Sequence, residues 1–161
     1  MNTPKILRTI ATAALMVAVA VGCASKSEAE DTTLRVLYWN FQNGMWSDEP
    51  NGYNNFAAWV RRYDPDVCIW CEAQTIYKPY TNEACAPEER YLVENWDKLA
   101  AKYGHTYWAI GGHRDNYPQV ITSKLPIEVV NQIVGEEPDS VVTHGAGHFR
   151  VEFNGKKVNI V

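Results

Sequence analysis

The chain has 161 residues, enough for one domain of ordinary size, and its formal net charge is -4. Because 46% of its residues are hydrophobic and 12% are aromatic, and no long run of like charges occurs, a wholly disordered chain is excluded. The acidic balance and the lack of a basic stripe do not indicate tight electrostatic binding to nucleic acid.

The N-terminus has the pattern of an export signal. Two basic residues precede the apolar stretch from Ile10 to Val21, which is short for a membrane span. Small residues then lead to Cys23, as in bacterial lipoprotein signals, whose Cys is lipidated after cleavage. We therefore expect removal of residues 1–22, a lipid on Cys23, and a flexible tether over residues 23–33 that holds the domain at the outer membrane or cell surface. The alternatives are an ordinary secretory signal and a single membrane anchor.

The folded part, residues 34–161, opens with two predicted strands. Leu34 to Phe41 is almost continuously apolar, which predicts a strand covered on both faces. The run from Val67 to Cys71 lies between a proline and a carboxylate and predicts a second, buried strand. Burying Glu72 at the end of that strand would cost several kcal/mol unless it is paired or binds a cation. The alternative is that Glu72 emerges into solvent where the strand stops.

A helix is predicted between these strands. Its apolar residues share one face: Phe56, Trp59, Val60 and Tyr63. We predict that it spans Asn54 to Tyr63 and that Asn54 or Asn55 caps it. A strand–helix–strand crossover makes the two strands parallel, so Asn40 and Glu72 fall at the same carboxyl edge, where open α/β sheets place their ligands. A turn-initiating asparagine is the alternative role for Asn40.

Short elements fill the rest of the chain. Thr75 to Pro87 is predicted to be a surface loop, and a second helix is predicted to end at Tyr103, before Gly104. Strands are predicted over Tyr107 to Ile110, Val120 to Thr122, Ile127 to Val134, Phe149 to Phe153 and Lys157 to Val161. Asn154-Gly155 is a hairpin signal. Because the chain stops inside an apolar strand, we expect it to be the front part of a longer protein.

The cysteines do not predict a redox or zinc site. Cys68 and Cys71 are three residues apart on a strand, which puts their sulfurs on opposite faces, and no second Cys pair completes a zinc site. In an exported protein, Cys85 can form a disulfide with either Cys68 or Cys71, and the sequence does not decide between them.

Four segments resemble the endonuclease/exonuclease/phosphatase superfamily, which includes DNase I-like nucleases, apurinic endonucleases, sphingomyelinases and inositol-polyphosphate phosphatases. They match its opening strand ending in Asn, its PDV…QE strand, its LS-PI strand and the hairpin before its TH motif: residues 34–40, 65–72, 120–127 and 149–161. The resemblance implies an α/β fold, a four-layer α/β/β/α sandwich (DNase I-like), truncated after roughly the first half.

The resemblance also implies a divalent-metal-dependent phosphoesterase. Glu72 would coordinate Mg²⁺ or Mn²⁺, and Asn40 would complete the metal site or orient the phosphate. Cys71 stands where the family has Gln, and the family's later His and Asp motifs are not in this chain. The isolated chain is therefore expected to be inactive. The substrate stays open among nucleic acid, phospholipid head groups and sugar phosphates.

Further candidates come from the polar segment before the fourth strand and from two loops. Tyr117 is a catalytic candidate, because several family members carry a catalytic Tyr about there. Asp115 is a second catalytic candidate in the same segment, which is dense in catalytic-type side chains, and Arg114 suits a phosphate oxygen. Asn43 and His148 are the other substrate-binding candidates. The alternatives are an ordinary polar turn and, for His148, a histidine satisfied by local hydrogen bonds. The competing function is a non-catalytic cell-envelope binding lipoprotein that retains the sandwich.

Overall fold

A computed structural model describes residues 33–86, 89–90, 95–112, 117–133 and 144–161, all within one compact unit, Asp31–Val161. Its strands are β1 Val36–Asn40, β2 Val67–Cys71, β3 Tyr107–Ile110, β4 Val120–Ser123, β5 Ile127–Ile133, β6 Ala146–Phe153 and β7 Lys156–Ile160. Its helices are α1 Asn54–Tyr63, α2 Trp96–Lys102 and a 3₁₀ helix, Trp46–Asn51. None of the helices in these ranges has the length and hydropathy to cross a bilayer. The predicted signal and Cys23 lie outside the described residues.

The strands form two sheets. The first has the order β1-β2-β4-β3, and β1 and β2 are parallel, as the crossover predicted. Their register pairs Asn40 with Cys71, so the two strands end at the same level. The second sheet is the antiparallel meander β5-β6-β7, and its last hairpin turns at Asn154-Gly155, as predicted.

A hydrophobic core lies on each face of the first sheet. On β2, Cys68 and Trp70 face the helices, whereas Val67 and Ile69 face the second sheet. The helix-side core is rich in aromatic rings: Phe41, Tyr53, Phe56, Trp70, Trp96 and Tyr103. The other core joins β2 and β4 to apolar residues of β6 and β7: Phe149, Val151 and Ile160. This helix–sheet–sheet layering confirms the predicted α/β sandwich class.

Thr122 is the centre of a hydrogen-bond network buried beside the helix-side core. Its Oγ1 accepts from Trp70 Nε1 at 3.2 Å and lies 3.0 Å from both Tyr103 Oη and His105 Nδ1. The other ring nitrogen of His105 lies 2.8 Å from the carbonyl oxygen of Pro65. Burial lowers the pKa of His105, so its neutral form is favoured. The network thus ties β2, β4 and the segment between α2 and β3 together.

Two local predictions for the first strand and helix are wrong. Val36 and Tyr38 are 49% and 63% exposed, because β1 is an edge strand and the second core does not extend over it. The residue before α1 is Tyr53, and neither Asn54 nor Asn55 caps the helix. Asp48, on the 3₁₀ helix, accepts instead from the Phe56 amide at 2.8 Å. Its buried carboxylate lies at the helix N-terminus, where the macrodipole favours negative charge.

The segment predicted as a surface loop is partly buried. Thr75, Ile76 and Cys85 are at most 7% exposed, and the Cys85 amide donates to the Ile76 carbonyl at 2.7 Å. Cys68, Cys71 and Cys85 are all free thiols, so the disulfide left open by the sequence is not formed in this structure.

Candidate active site

The parallel register brings Asn40 and Glu72 into contact at the carboxyl edge of the first sheet. The side-chain Nδ2 of Asn40 donates to Glu72 Oε1 at 3.0 Å, and the backbone N–H of Asn43 donates to Glu72 Oε2 at 3.1 Å. The Gln42 amide donates to Asn40 Oδ1 at 3.0 Å, which fixes the orientation of the Asn40 side chain. The half-buried Glu72 carboxylate is therefore held in one orientation by two donors.

The backbone after β1 forms a left-handed turn, Gln42–Met45, whose φ angles lie between 46° and 63°. The Gly44 amide donates to the Glu72 carbonyl at 2.7 Å, which ties this turn to the end of β2. A left-handed non-glycine residue costs about 1–2 kcal/mol. Backbone strain of this kind is typical of functional sites, and here it lies directly beside Glu72.

A cavity of about 170 Å³ opens beside the Glu72 carboxylate. Its walls come from the left-handed turn, the 3₁₀ helix, the loop after β2 and the residue before β4: Gln42, Asn43, Trp46, Glu72, Tyr77, Asn82 and Tyr117. At about 30 Å³ per water, this volume holds five or six waters, enough for a small polar group. Glu72 is the one carboxylate among these lining residues, and none of them is cationic.

Tyr117 lies in the cavity wall, where the sequence placed a catalytic candidate. Its ring stacks on that of His144, with 4.8 Å between centroids and 11° between planes. Its carbonyl oxygen accepts from the Gly145 amide at 3.1 Å. Burial, the neighbouring Tyr77 phenol and the Glu72 charge raise the pKa of Tyr117, so its hydroxyl stays protonated at neutral pH.

Asn43 lines the cavity, but its side chain is committed mainly to the fold. Its Oδ1 accepts from the Ile76 amide at 2.6 Å, which leaves that oxygen less free to bind a cation. Its buried Nδ2 has no hydrogen-bond partner among the described residues. Asn43 thus links the loop after β2 to the Glu72 carboxylate, and its contact with substrate stays a prediction.

Of the other substrate candidates, the structure describes His148, which does not line this cavity. His148 lies on β6, not in a loop, and its Nε2 is 2.9 Å from Asn159 Oδ1. Arg114 and Asp115 lie outside the described residues. Sequence reasoning missed Tyr77, because one tyrosine in a polar loop carries no periodic or motif signal.

The Glu72 site fits a hard divalent cation that keeps most of its waters. Within the described ranges, no group of three or more His, Cys, Asp or Glu side chains forms a metal cage. Mg²⁺ does not require one, since it is commonly bound by one or two carboxylates together with waters and substrate phosphates. An ionised carboxylate has about four acceptor positions, and Glu72 uses two of them to accept from Asn40 and Asn43. The remaining positions can bind a cation. Asn40, whose amide donates to Glu72, orients that carboxylate.

No family model matches the chain, and no curated protein matches it. Solved structures, in contrast, share its architecture. At the low identities of these structures the likeness defines the fold: the chain has the DNase I-like fold of the endonuclease/exonuclease/phosphatase superfamily, as the motif resemblance predicted.

Three examples, each with a TM-score of 0.50, illustrate this likeness. The D. rerio TDP2 complexed with single strand DNA product is 15% identical, with coverage of 80% of this chain and 44% of that one. The endonuclease/exonuclease/phosphatase family protein from Leptotrichia buccalis is 10% identical, with coverage of 79% and 53%. The endonuclease/exonuclease/phosphatase from Beutenbergia cavernae is 20% identical, with coverage of 78% and 36%. The chain therefore spans about half, or less, of the length of these proteins.

Proposed function

We propose that this chain carries the metal-binding part of a divalent-metal-dependent phosphoesterase that uses Mg²⁺ or Mn²⁺. The observation that carries the proposal is the Glu72 carboxylate, fixed by Asn40 at 3.0 Å beside a polar cavity at the strand ends. This edge is where α/β sheets place their ligands. The fold likeness to nucleases and phosphatases adds support to the reaction class.

The side chains of the site have distinct roles in this proposal. When bound at Glu72, a divalent cation would polarise a phosphoryl oxygen and stabilise charge on the leaving oxygen. Glu72 supplies the carboxylate, and Asn40 keeps it oriented. The protonated Tyr117 phenol donates a hydrogen bond to the phosphate ester. We assign Asp115 to catalysis and Arg114 to phosphate binding, because both belong to the polar segment that leads to Tyr117 and a guanidinium suits a phosphate oxygen.

The substrate of this proposal is a phosphate ester of nucleic acid, a phospholipid head group or a sugar phosphate. D. rerio TDP2 has been seen with a single strand DNA product, which favours nucleic acid among these classes. We also propose that the protein is exported and held at the cell envelope through a lipid on Cys23. A cell-envelope location is compatible with all three substrates.

Hydrolysis of bis(p-nitrophenyl) phosphate with Mg²⁺ or Mn²⁺ tests the proposed reaction. Because the chain spans half or less of its structural neighbours, the assay uses the full-length gene product. We expect Glu72→Ala to lower kcat/KM by about 100-fold or more, since metal-ion catalysis contributes several kcal/mol. The exposed Glu152 on β6 provides a matched control, and Glu152→Ala should leave kcat/KM unchanged.

Direct titration with Mn²⁺ separates the proposal from the competing function. Wild-type protein should bind the ion, and the isosteric Glu72→Gln variant should bind it much more weakly. A wild-type protein that neither binds Mn²⁺ nor hydrolyses the ester would favour the non-catalytic binding lipoprotein. Full activity in Glu72→Ala would contradict the assigned role of Glu72.

A further inference from the structure

The segment that leads into β6 meets the cavity wall at Tyr117. His144 and Tyr117 form an isolated parallel β-bridge, and the Gly145 N–H donates to the Tyr117 carbonyl oxygen at 3.1 Å. The next residue, Pro118, is held from the other side, because its carbonyl oxygen accepts from the Ala73 N–H at 2.9 Å. The backbone around Tyr117 is therefore fixed between the loop after β2 and the segment that leads into β6.

The segment that contains His144 is packed closely against the first sheet. A Cβ on Gly112, two residues after β3, would lie 2.4 Å from the Gly145 Cα, and a Cβ on Gly147 would lie 2.5 Å from the Gly111 Cα. Real Cβ atoms essentially never approach other heavy atoms so closely, so the two backbones meet here with no side chain between them. His144 therefore has a fixed place relative to the end of β3.

The side chains of the bridged pair are stacked as well. The ring centroids of His144 and Tyr117 lie 4.8 Å apart and their planes differ by 11°, which is the geometry of an offset-stacked aromatic pair. The imidazole is exposed and the phenol is half-buried, and of the two residues Tyr117 lines the cavity beside Glu72. His144 therefore supports the phenol from outside the cavity.

The orientation of this phenol matters because its hydroxyl group lies at the far end of the side chain. A small rotation of the ring about the Cα–Cβ bond moves the hydroxyl group, whereas a hydrogen bond requires a narrow range of distances and angles. A ring stacked on His144 loses part of this rotational freedom, since tilting it would break the contact between the two faces.

We propose that His144 is a positioning residue, whose stacked imidazole holds the Tyr117 phenol in the orientation that lets its hydroxyl group donate to the bound phosphate ester. The proposal rests on the proposed function and adds to it a residue outside the motifs of the sequence. His144 acts through Tyr117 and contacts neither the ester nor the cation. Its flat face is what the role requires, so another aromatic ring should replace it.

Hydrolysis of bis(p-nitrophenyl) phosphate by the full-length gene product with Mn²⁺ tests the proposal. His144→Ala removes the stacked ring and should lower kcat/KM by about tenfold, as for the loss of one aromatic pair. His144→Phe keeps a flat ring and should retain at least about half of the wild-type kcat/KM. Neither change should alter the affinity for Mn²⁺, because His144 does not line the cavity.

Tyr63→Ala is the matched control for the loss of an exposed, stacked ring. Tyr63 is 53% exposed, its ring centroid lies 4.6 Å from that of Trp59, and it does not line the cavity. This variant should keep the wild-type kcat/KM. A loss equal to that of His144→Ala would show that removing any surface ring has this effect, and it would overturn the proposal.

A double-mutant cycle separates positioning from damage to the fold. If His144 acts through the Tyr117 hydroxyl group, His144→Ala should cause no further loss of kcat/KM in a Tyr117→Phe background, which lacks that group. Damage to the segment before β6 would lower kcat/KM in both backgrounds. An equal loss in both backgrounds would overturn the proposal, and so would an equal loss in His144→Ala and His144→Phe.

The stack also has a spectroscopic signature that does not depend on catalysis. In protein labelled with ¹³C-tyrosine, the ring current of His144 should shift the NMR signals of the Tyr117 ring, which Tyr117→Phe identifies by their loss. His144→Ala should lose this shift, and unchanged signals would overturn the proposal. Failure of the proposed function appears differently, as a wild-type protein without hydrolysis, whereas failure of the positioning role leaves wild type and His144→Ala equally active.

Discussion

Gly44→Ala should disturb both the fold and the Glu72 site. A Cβ on Gly44 would lie 2.5 Å from the carbonyl carbon of Gln74 and 2.6 Å from the amide nitrogen of Thr75. Both are backbone atoms of a buried segment, so the left-handed turn must move away from it by at least about 0.5 Å to restore a contact that real Cβ atoms adopt. Overpacking of this kind costs about 1–3 kcal/mol, and left-handed alanine adds about 1–2 kcal/mol.

The movement should also weaken the site, because the turn holds Glu72 at two points. The backbone N–H of Asn43 donates to the Glu72 carboxylate, and the backbone N–H of Gly44 donates to the Glu72 carbonyl oxygen. A misplacement of about 1 Å can lower catalytic rates about 100-fold. We therefore expect Gly44→Ala to lose between about 10-fold and 100-fold in kcat/KM for bis(p-nitrophenyl) phosphate. Denaturant unfolding and Mn²⁺ titration of the same samples measure stability and cation affinity.

Gly155→Ala is the matched control for this experiment. Gly155, in the β6–β7 hairpin, has a φ of 69°, close to the 63° of Gly44, but no atom lies within 4 Å of the position that an added Cβ would take. It should therefore show the left-handed backbone cost alone and keep the wild-type cation affinity. If Gly44→Ala were no less stable than Gly155→Ala and bound Mn²⁺ equally well, the close packing of the turn against residues 74–75 would not control the site.

Two further predictions concern acid stability and export. Burial lowers the pKa of His105, so below its unfolded pKa of about 6.5 the unfolded chain binds a proton that the folded chain does not. The free energy of unfolding, measured with urea, should therefore fall as the pH is lowered from about 7.5 to about 5, by at most about 1.4 kcal/mol per pH unit. The decrease should be smaller in His105→Gln. An equal pH dependence in both proteins would refute this explanation. When the protein is expressed in a bacterium that processes lipoproteins, radiolabelled palmitate should be incorporated into it and lost in Cys23→Ser. Equal labelling of both proteins would disprove lipidation at Cys23.

Local sequence patterns determined the elements around the site. The stripe of Phe56, Trp59, Val60 and Tyr63 predicts the observed bounds of α1, because apolar periodicity and the following proline act within a few residues. The same holds for β2 and for the hairpin at Asn154-Gly155, which depend on β-favouring runs and turn chemistry. The crossover between β1 and β2 then predicted that Asn40 and Glu72 end at one edge.

Tertiary packing decided the features that local patterns do not encode. Asp48 caps α1 in place of Asn54 or Asn55, since the left-handed residue Tyr53 and the 3₁₀ helix bring a buried carboxylate to the helix start. Tyr77 and Tyr117, 40 positions apart in the chain, line the same cavity, and this depends on the order of strands in the sheet. Sequence alone therefore determined the elements and the edge that holds Glu72. Only the folded chain decided which groups surround that carboxylate, because contacts between distant residues depend on strand register and backbone turns.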